Sequence, residues 1–456
     1  MRSRVLIVLQ LLLSTVALAP VAARDPSAPA MKVPRWDARG VGSLPWQGVA
    51  CLDVNEDATR IALGTIAPPG DPNVLLLDGD GKVLRQQAAG QRWINQVALG
   101  ADGELRAICT MPAGRAGDMP DLFRLTPDSV AAEGINWRQG DYAQGYFHYG
   151  DHSNHVTRLL ARQGRFTVVV NGDQVHWLSA KGISTTAAFP LSDAAIPVAV
   201  TAESNGFVVM GITAAPSKDK MPPNLYVLHS SRPRPLWSRA MNVQTAAAPR
   251  PERGRYGTPT LPNGRRQELP QRDDKVWSPR AVALHVAEGQ DATTAKRLVA
   301  AADYQGWQRW VRSSATGKDQ NLGVRFMPSR PTVTIYDQDG KQVAYCGPEK
   351  FARPFWCDMR FSLDGKRLFI WPHSWTSRGL AGQAILPADD GPTDLYVLEV
   401  GSGQLARLTF PDALADVALS EKGAVVGCWD GLVYILGEED LAKGRVPTGV
   451  AVGGPS

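Results

Sequence analysis

The chain has 456 residues, 44% of them hydrophobic and 20% charged, with 44 Gly, 34 Pro and a formal net charge of +5. That balance excludes a disordered chain, and the high turn-former content points to many short elements rather than long helices. The five cysteines are an odd number, which excludes a complete disulfide framework.

Residues 1–23 read as a secretory signal peptide. Arg2 and Arg4 form its basic region, Val5 to Ala19 its apolar run, and Val21-Ala22-Ala23 its small-residue cleavage site. The run is short for a membrane span, which needs about 20 residues. Cleavage removes two arginines and no acid, so the charge falls from +5 to +3. That mild excess argues against a nucleic-acid partner. A secreted or periplasmic location is therefore expected, with no transmembrane segment left after cleavage. Residues 24–32 are a Pro/Ala/Ser-rich linker.

From there the chain repeats one pattern. Short apolar or alternating runs are separated by tight turns such as Asn55–Ala58, Asp78–Lys82, Ala101–Glu104, Leu363–Lys366 and Gly401–Gln404. The clearest unit is the last, Asp412–Gly437, where LADVALS, AVVGCW and LVYIL are joined by Glu421-Lys422-Gly423 and Asp430-Gly431. One such meander cannot bury its own apolar face and needs neighbours of the same kind. Seven units fit the chain, and an all-β, single seven-bladed β-propeller over residues 33–440 is expected. A β-sandwich pair and a β-helix are the alternatives. Residues 246–275, with seven basic residues, four acids and five prolines, form an inserted flexible arm. Residues 441–456 are a C-terminal tail.

Two stretches carry a family resemblance. FSLDGKRLFI (361–370) resembles the repeat signature of WD40-like and YVTN-type propellers, and VVGCWDGLVYIL (425–436) resembles the pyrroloquinoline-quinone-like (PQQ-like) repeat. Asp102, Asp364 and the Asp-Gly turns carry the likeness, whereas the Gly-His and Trp-Asp pairs of true WD40 blades are largely missing. The resemblance implies a closed ring. Because the last unit lacks a clear fourth strand, Val33–Trp36 is expected to supply it, as Arg35-Trp36 resembles Leu236-Trp237. An adjacent Cys-Cys pair, usual in the quinone enzymes, is absent, and no bound quinone is expected.

Antiparallel alternation sorts the connections. First-to-second and third-to-fourth turns share one end, and these are short. Second-to-third and inter-unit connections share the other end, and these are long: 65–72, 111–120, 213–223, 304–331, 371–393, 136–154 and 240–276. Long loops grouped on a rigid scaffold are where binding residues concentrate. The ligand-binding candidates there are Trp137, Tyr146, Trp307, Trp310, Arg312, Trp371, His373 and Trp375, aromatic rings and a guanidinium suited to stacking on sugars or clamping a peptide. Blade packing is the competing role for the same rings.

YFHYGDHSNH (146–155) holds three of the seven histidines. His148, Asp151, His152 and His155 are candidate metal ligands, with a polar loop lining as the plainer role. Asp78–Gly81 and Asp337–Gly340 mimic the start of a calcium loop but lack its later Glu, and are read as hairpin turns. Cys346 and Cys357 flank one inter-unit connection and are open to pairing; Cys51, Cys109 and Cys428 are read as small buried residues. The expectation is a monomeric, non-catalytic binding or scaffold module for a protein or glycan, with no cofactor. The alternative is a polysaccharide lyase or hydrolase using the His cluster with a metal. N-terminal sequencing of the exported protein is expected to begin at Arg24; a product that retains Met1 contradicts the signal.

Overall fold

The computed structural model of the protein describes residues 49–65, 72–89, 93–100, 103–110, 121–132, 157–162, 166–171, 174–179, 182–188, 197–202, 206–212, 223–232, 234–240, 279–287, 295–303, 307–312, 322–327, 330–353, 355, 357–372, 375–376, 386–387, 393–428, 431–446 and 450–451. Within them the fold is all-β, with seven four-stranded antiparallel sheets, each a meander in chain order, and two two-stranded ribbons.

The first sheet is β1 (Val49–Val54), β2 (Arg60–Thr65), β3 (Val74–Asp78) and β4 (Val83–Gln87). The second is β5 (Trp93–Leu99), β6 (Leu105–Thr110), β7 (Asp121–Leu125) and β8 (Val130–Ala132). The third is β9 (Thr157–Arg162), β10 (Phe166–Asn171), β11 (Gln174–Ser179) and β12 (Gly182–Ala188). The fourth is β13 (Pro197–Ala202), β14 (Phe207–Ile212), β15 (Leu225–His229) and β16 (Trp237–Arg239). In the fifth, β17 (Pro279–Val286) and β18 (Arg297–Asp303) are followed by a ribbon, β19 (Trp307–Arg312) with β20 (Leu322–Met327), before β21 (Thr332–Tyr336) and β22 (Gln342–Cys346) complete the sheet. The sixth repeats that plan: β23 (Cys357–Phe361) and β24 (Arg367–Pro372), a ribbon of β25 (Trp375–Thr376) and β26 (Leu386–Pro387), then β27 (Thr393–Glu399) and β28 (Leu405–Phe410). The seventh is β29 (Leu414–Ser420), β30 (Gly423–Cys428), β31 (Leu432–Leu436) and β32 (Val450–Ala451), with α1 (Glu438–Lys443) before its last strand.

The first strands form a circuit of contacts. β1 touches β5, β5 touches β9, β9 touches β13, β13 touches β17, β17 touches β23, β23 touches β29, and β29 touches β1. Radial sheets joined through their first strands are the arrangement of a β-propeller. Burial follows the same gradient. β1 is buried along nearly its whole length, whereas β4 alternates between half-buried and exposed positions. A strand with neighbouring sheets on both faces needs a continuous apolar run, and a rim strand needs only alternation.

The apolar cores lie between sheets. One joins Phe207, Val209 and Val227 of the fourth sheet to Leu284, Val299 and Tyr336 of the fifth. Another joins Ala283 and Ile335 of the fifth to Met359, Phe361 and Tyr396 of the sixth. The largest runs through the sixth, seventh and first sheets, from Phe369 and Val397 through Val417 and Val426 to Leu52 and Leu63. Last and first sheets thus share a core, as the fourth and fifth sheets do.

That seam departs from the sequence expectation. The outer position of the last sheet is filled by β32, with Leu432 opposite Ala451 and Val433 opposite Val450. Residues 441–456 are therefore not merely a tail, and the expected N-terminal strand is not in that place; Val33–Trp36 lies outside the described residues. The chain reaches β32 by way of α1, whose first turn is acidic, whose Gly437 N–H donates to Asp440 at 3.2 Å, and whose end is the left-handed Gly444.

Five first strands carry the same irregularity near their start. The register shifts between Val49 and Cys51, Ile94 and Gln96, Pro197 and Ala199, Pro279 and Ala281, and Leu414 and Asp416. Opposite the inner side of each shift stand Gly64, Ile108, Gly211, Ala302 and Gly427. A bulge bends its strand, and a small partner residue lets the next sheet approach. At Gly427 an added Cβ would sit 2.7 Å from Leu52 Cδ2 and 2.8 Å from Val49 Cγ1, both on the first sheet. Gly427→Ala is expected to destabilise the protein by about 1–3 kcal/mol in urea unfolding. Gly401→Ala, with nothing within 4 Å, is the control and should change little.

Candidate binding face and inner-strand charges

The alternation of strand directions places both ribbons at the same end of the fold, since each lies in a second-to-third connection. Their parent sheets are neighbours, because β17 touches β23. Trp307, Trp310 and Arg312 fall on one strand of the fifth sheet's ribbon, opposite Met327, Val324 and Leu322. Trp375 falls on the sixth sheet's ribbon, opposite Pro387. Four of the eight ligand-binding candidates therefore belong to two adjacent projections. Trp137, Tyr146 and His373 lie outside the described residues, as do His148, Asp151, His152 and His155. Among the described residues there is no group of three or more side chains able to hold a metal.

Trp371 is corrected. It was expected on the binding face, but it is 1% exposed and belongs to the core shared by the sixth, seventh and first sheets. It stands opposite Asp358 in β24, where β23 carries no bulge. The indole stands where four of the five bulged sheets carry Gly or Ala. Its Nε1–H meets no acceptor among the described residues, so it packs without adding a hydrogen bond.

The other end is stitched by its own turns. Asp78 accepts the N–H groups of Asp80 at 3.1 Å and Lys82 at 2.8 Å, and Asp337 does the same with Asp339 at 3.0 Å and Lys341 at 2.9 Å. Gly81 and Gly340 take positive φ to close these loops. Backbone donors already engage both aspartates, and the two loops are hairpin turns. Asp364 belongs to a related turn. Partial burial raises its carboxyl, but the Ser362 hydroxyl and the Lys366 N–H and ammonium outweigh this and hold it at about 2.

Cys51, Cys346, Cys357 and Cys428 are buried. Cys346 and Cys357 sit in one core as separate thiols, and burial pushes Cys346 up to about 11, far from the thiolate that reacts. Cys109 lies on β6, opposite Ile94.

The sequence reading overlooked a set of charges on the first strands. Asp53 of β1 accepts the N–H of Leu99 on the second sheet at 2.8 Å. Asp416 of β29 accepts the N–H of Leu52 on the first sheet at 3.1 Å and that of Val417 at 2.8 Å. Arg360 of β23 reaches Asp416 at 3.6 Å, with side chains 37% and 17% exposed respectively. Burial pushes Asp53 up to about 6, against the pull of Arg360 and of the Leu99 and Val54 N–H groups. Burial also raises Asp416, Arg360 opposes this, and Asp358 adds to the rise. The only sequence signal was a lone Asp inside an apolar run, as in CLDV and LADV.

Trp371→Phe should leave stability within about 1 kcal/mol, because the orphan N–H goes with the lost ring. Trp371→Ala should cost about 3–5 kcal/mol. Urea unfolding of the two variants checks both values.

No family model matches the sequence, and no curated protein does. Solved structures with similar chains include WD40 and propeller folds. The RRP9 WD40 repeats are 13% identical, covering 85% of this chain and 89% of that one at a TM-score of 0.45. The Doa1 WD40 β-propeller domain is 11% identical, covering 88% and 95% at 0.42. YCF48 from Cyanidioschyzon merolae is 11% identical, covering 89% and 98% at 0.42. The resemblance is one of fold level, to WD40-like β-propellers, and at these values it adds no argument about function.

Proposed function

We propose that the protein is an exported, seven-bladed propeller that acts as a binding or scaffold module for a protein through its loop-rich end. The seven sheets are its blades. Its ring would close where the last sheet packs on the first, with β32 in the outer place of the last sheet. Export rests on the pattern of residues 1–23.

The observation that carries this reading is the sorting of the long connections. Connections 66–73, 111–120, 213–224, 304–331 and 373–392 within sheets, and 133–156 and 240–278 between them, all leave the same end. Random growth of surface loops would burden both ends. The opposite end keeps turns of two to five residues at most junctions, with 230–236, 287–296 and the connection holding α1 as the longer exceptions. Two adjacent blades add ribbons bearing Trp307, Trp310, Arg312 and Trp375. Tryptophan and arginine dominate protein-binding hot spots, and the same residues can stack on a sugar.

The test replaces 304–331 with a short Gly-Ser turn and separately substitutes Trp307, Trp310 and Trp375 by Ala. Crosslinking in the exporting host, with mass spectrometry, should recover a defined partner with the unaltered protein and lose at least tenfold of it with either variant. Partner recovery unchanged in both variants overturns the loop-rich end as the binding face. Binding to a glycan array in place of a protein shifts the ligand class. Stoichiometric metal in the purified protein, with polysaccharide cleavage, would overturn the non-catalytic reading.

A further inference from the structure

We propose that the ribbon of the fifth sheet receives an acidic, extended segment of the partner protein, with one of its carboxylates held between Arg309 and Arg325. The inference rests on the loop-rich end being the binding face and adds the chemistry of what binds there. Its basis is register. β19 pairs with β20 so that Trp307 stands opposite Met327, Arg309 opposite Arg325, and Val311 opposite Gly323. Directly opposed residues of an antiparallel pair share a face, with Cβ atoms about 4.5–5.5 Å apart. One face of the ribbon therefore runs from the pair of Trp307 and Met327, through two arginines, to Val311 and Gly323.

Like charges placed directly opposite one another destabilise a sheet. The strands WQRWVR and LGVRFM hold three arginines and no acid, so neither supplies a counter-charge. An anion lying over the pair removes the repulsion, and a carboxylate matches arginine in bidentate geometry. The apolar residues beside the pair suit a segment whose side chains alternate apolar and acidic along one face, as an extended strand allows. Neither outer edge of the ribbon carries a further strand among the described residues. Main-chain pairing is thus open to such a segment.

The surrounding charge points the same way. Connections 240–278 and 304–331, which lead into the fifth sheet and interrupt it, carry twelve basic residues and five acids. The five other long connections together carry five basic residues and eight acids. The basic excess of the loop-rich end is therefore the fifth sheet's, which suits a local acidic segment and steers its approach. Tryptophan, methionine and arginine are residues enriched at protein interfaces, and they favour a protein over a nucleic acid here.

The mature full-length protein supplies the test, with labelled probes: a peptide alternating glutamate with valine, the same peptide with glutamine for glutamate, and a single-stranded oligothymidine. Fluorescence anisotropy should show the glutamate peptide binding at least tenfold more tightly than the glutamine one, and weakening several-fold as salt rises from about 50 to 300 mM. Arg309→Gln and Arg325→Gln should each remove most of that preference and leave the thermal midpoint unchanged or higher, because each relieves the opposed charges. Lys341→Gln removes the same charge from the opposite end of the sheet and should keep the preference. No glutamate preference, tighter binding of the oligothymidine, an equal loss in Lys341→Gln, or a preference that survives in the double arginine variant overturns the inference. So does a lower thermal midpoint in either arginine variant, which would place the counter-charge within the chain itself. Crosslinking in the exporting host separates the two readings. A partner lost on replacing 304–331 but kept by the double arginine variant leaves the binding face standing and removes the acidic segment.

Discussion

Everything in this fold depends on how closely one sheet's first strand can approach the next. Neighbouring sheets can pack side by side only if their first strands crowd together without clashing. The bulges at the starts of β1, β5, β13, β17 and β29 bend those strands, and Gly64, Gly211, Ala302 and Gly427 clear the space opposite four of them. The sixth sheet solves the problem differently, with an unbulged β23 and the large, dry Trp371 opposite Asp358. The repeat is thus a repeat of backbone geometry more than of side chains, and its sequence trace is faint.

That constraint also separates the two ends. Short turns such as Asp78–Lys82 and Asp337–Lys341 satisfy their own backbone donors and leave little room for insertion. The connections from second to third strands start where the bulged strands begin, and there the chain is free to lengthen. Ribbons in the fifth and sixth sheets use this freedom. A cross-seam bond from the Glu421 N–H to the Glu56 carbonyl, at 2.6 Å, and the reach of Arg367 to Glu399 and Glu438 tie the last turns into the scaffold beneath. Loops grown from a frame pinned in this way can vary without disturbing it.

Between the fourth and fifth sheets the rim is pinned by aromatics and guanidinium groups. Trp237 meets Tyr336 edge-on, Arg239 lies over the same ring while donating to the Gly340 carbonyl, and Arg297 covers Phe207. The seams on either side of the first sheet use buried carboxylates instead, Asp416 accepting from Leu52 and Asp53 from Leu99. Carboxylates accepting backbone N–H groups fix register as well as strength, since a shift of one residue would leave both partners unsatisfied.

The sequence by itself determined the strands and their order. β1 and β4 run from Val49 to Val54 and from Val83 to Gln87, as their alternation and flanking turns imply. Period and turn chemistry are local, so they survive in one dimension. It also sorted the connections to two ends, because antiparallel meanders leave no choice. The ribbon of β19 and β20 was legible as alternation in WQRWVR and LGVRFM but was read as loop, and α1 carried its caps in GEEDLAKG yet was split between the last unit and the tail. Only the tertiary structure decided which strand completes the last sheet, where the bulges fall, and that Trp371 is core while Trp307, Trp310 and Trp375 sit on ribbons. Those outcomes depend on what packs against each residue from another sheet, and an aromatic run reads the same in sequence whether a neighbouring sheet covers it or not.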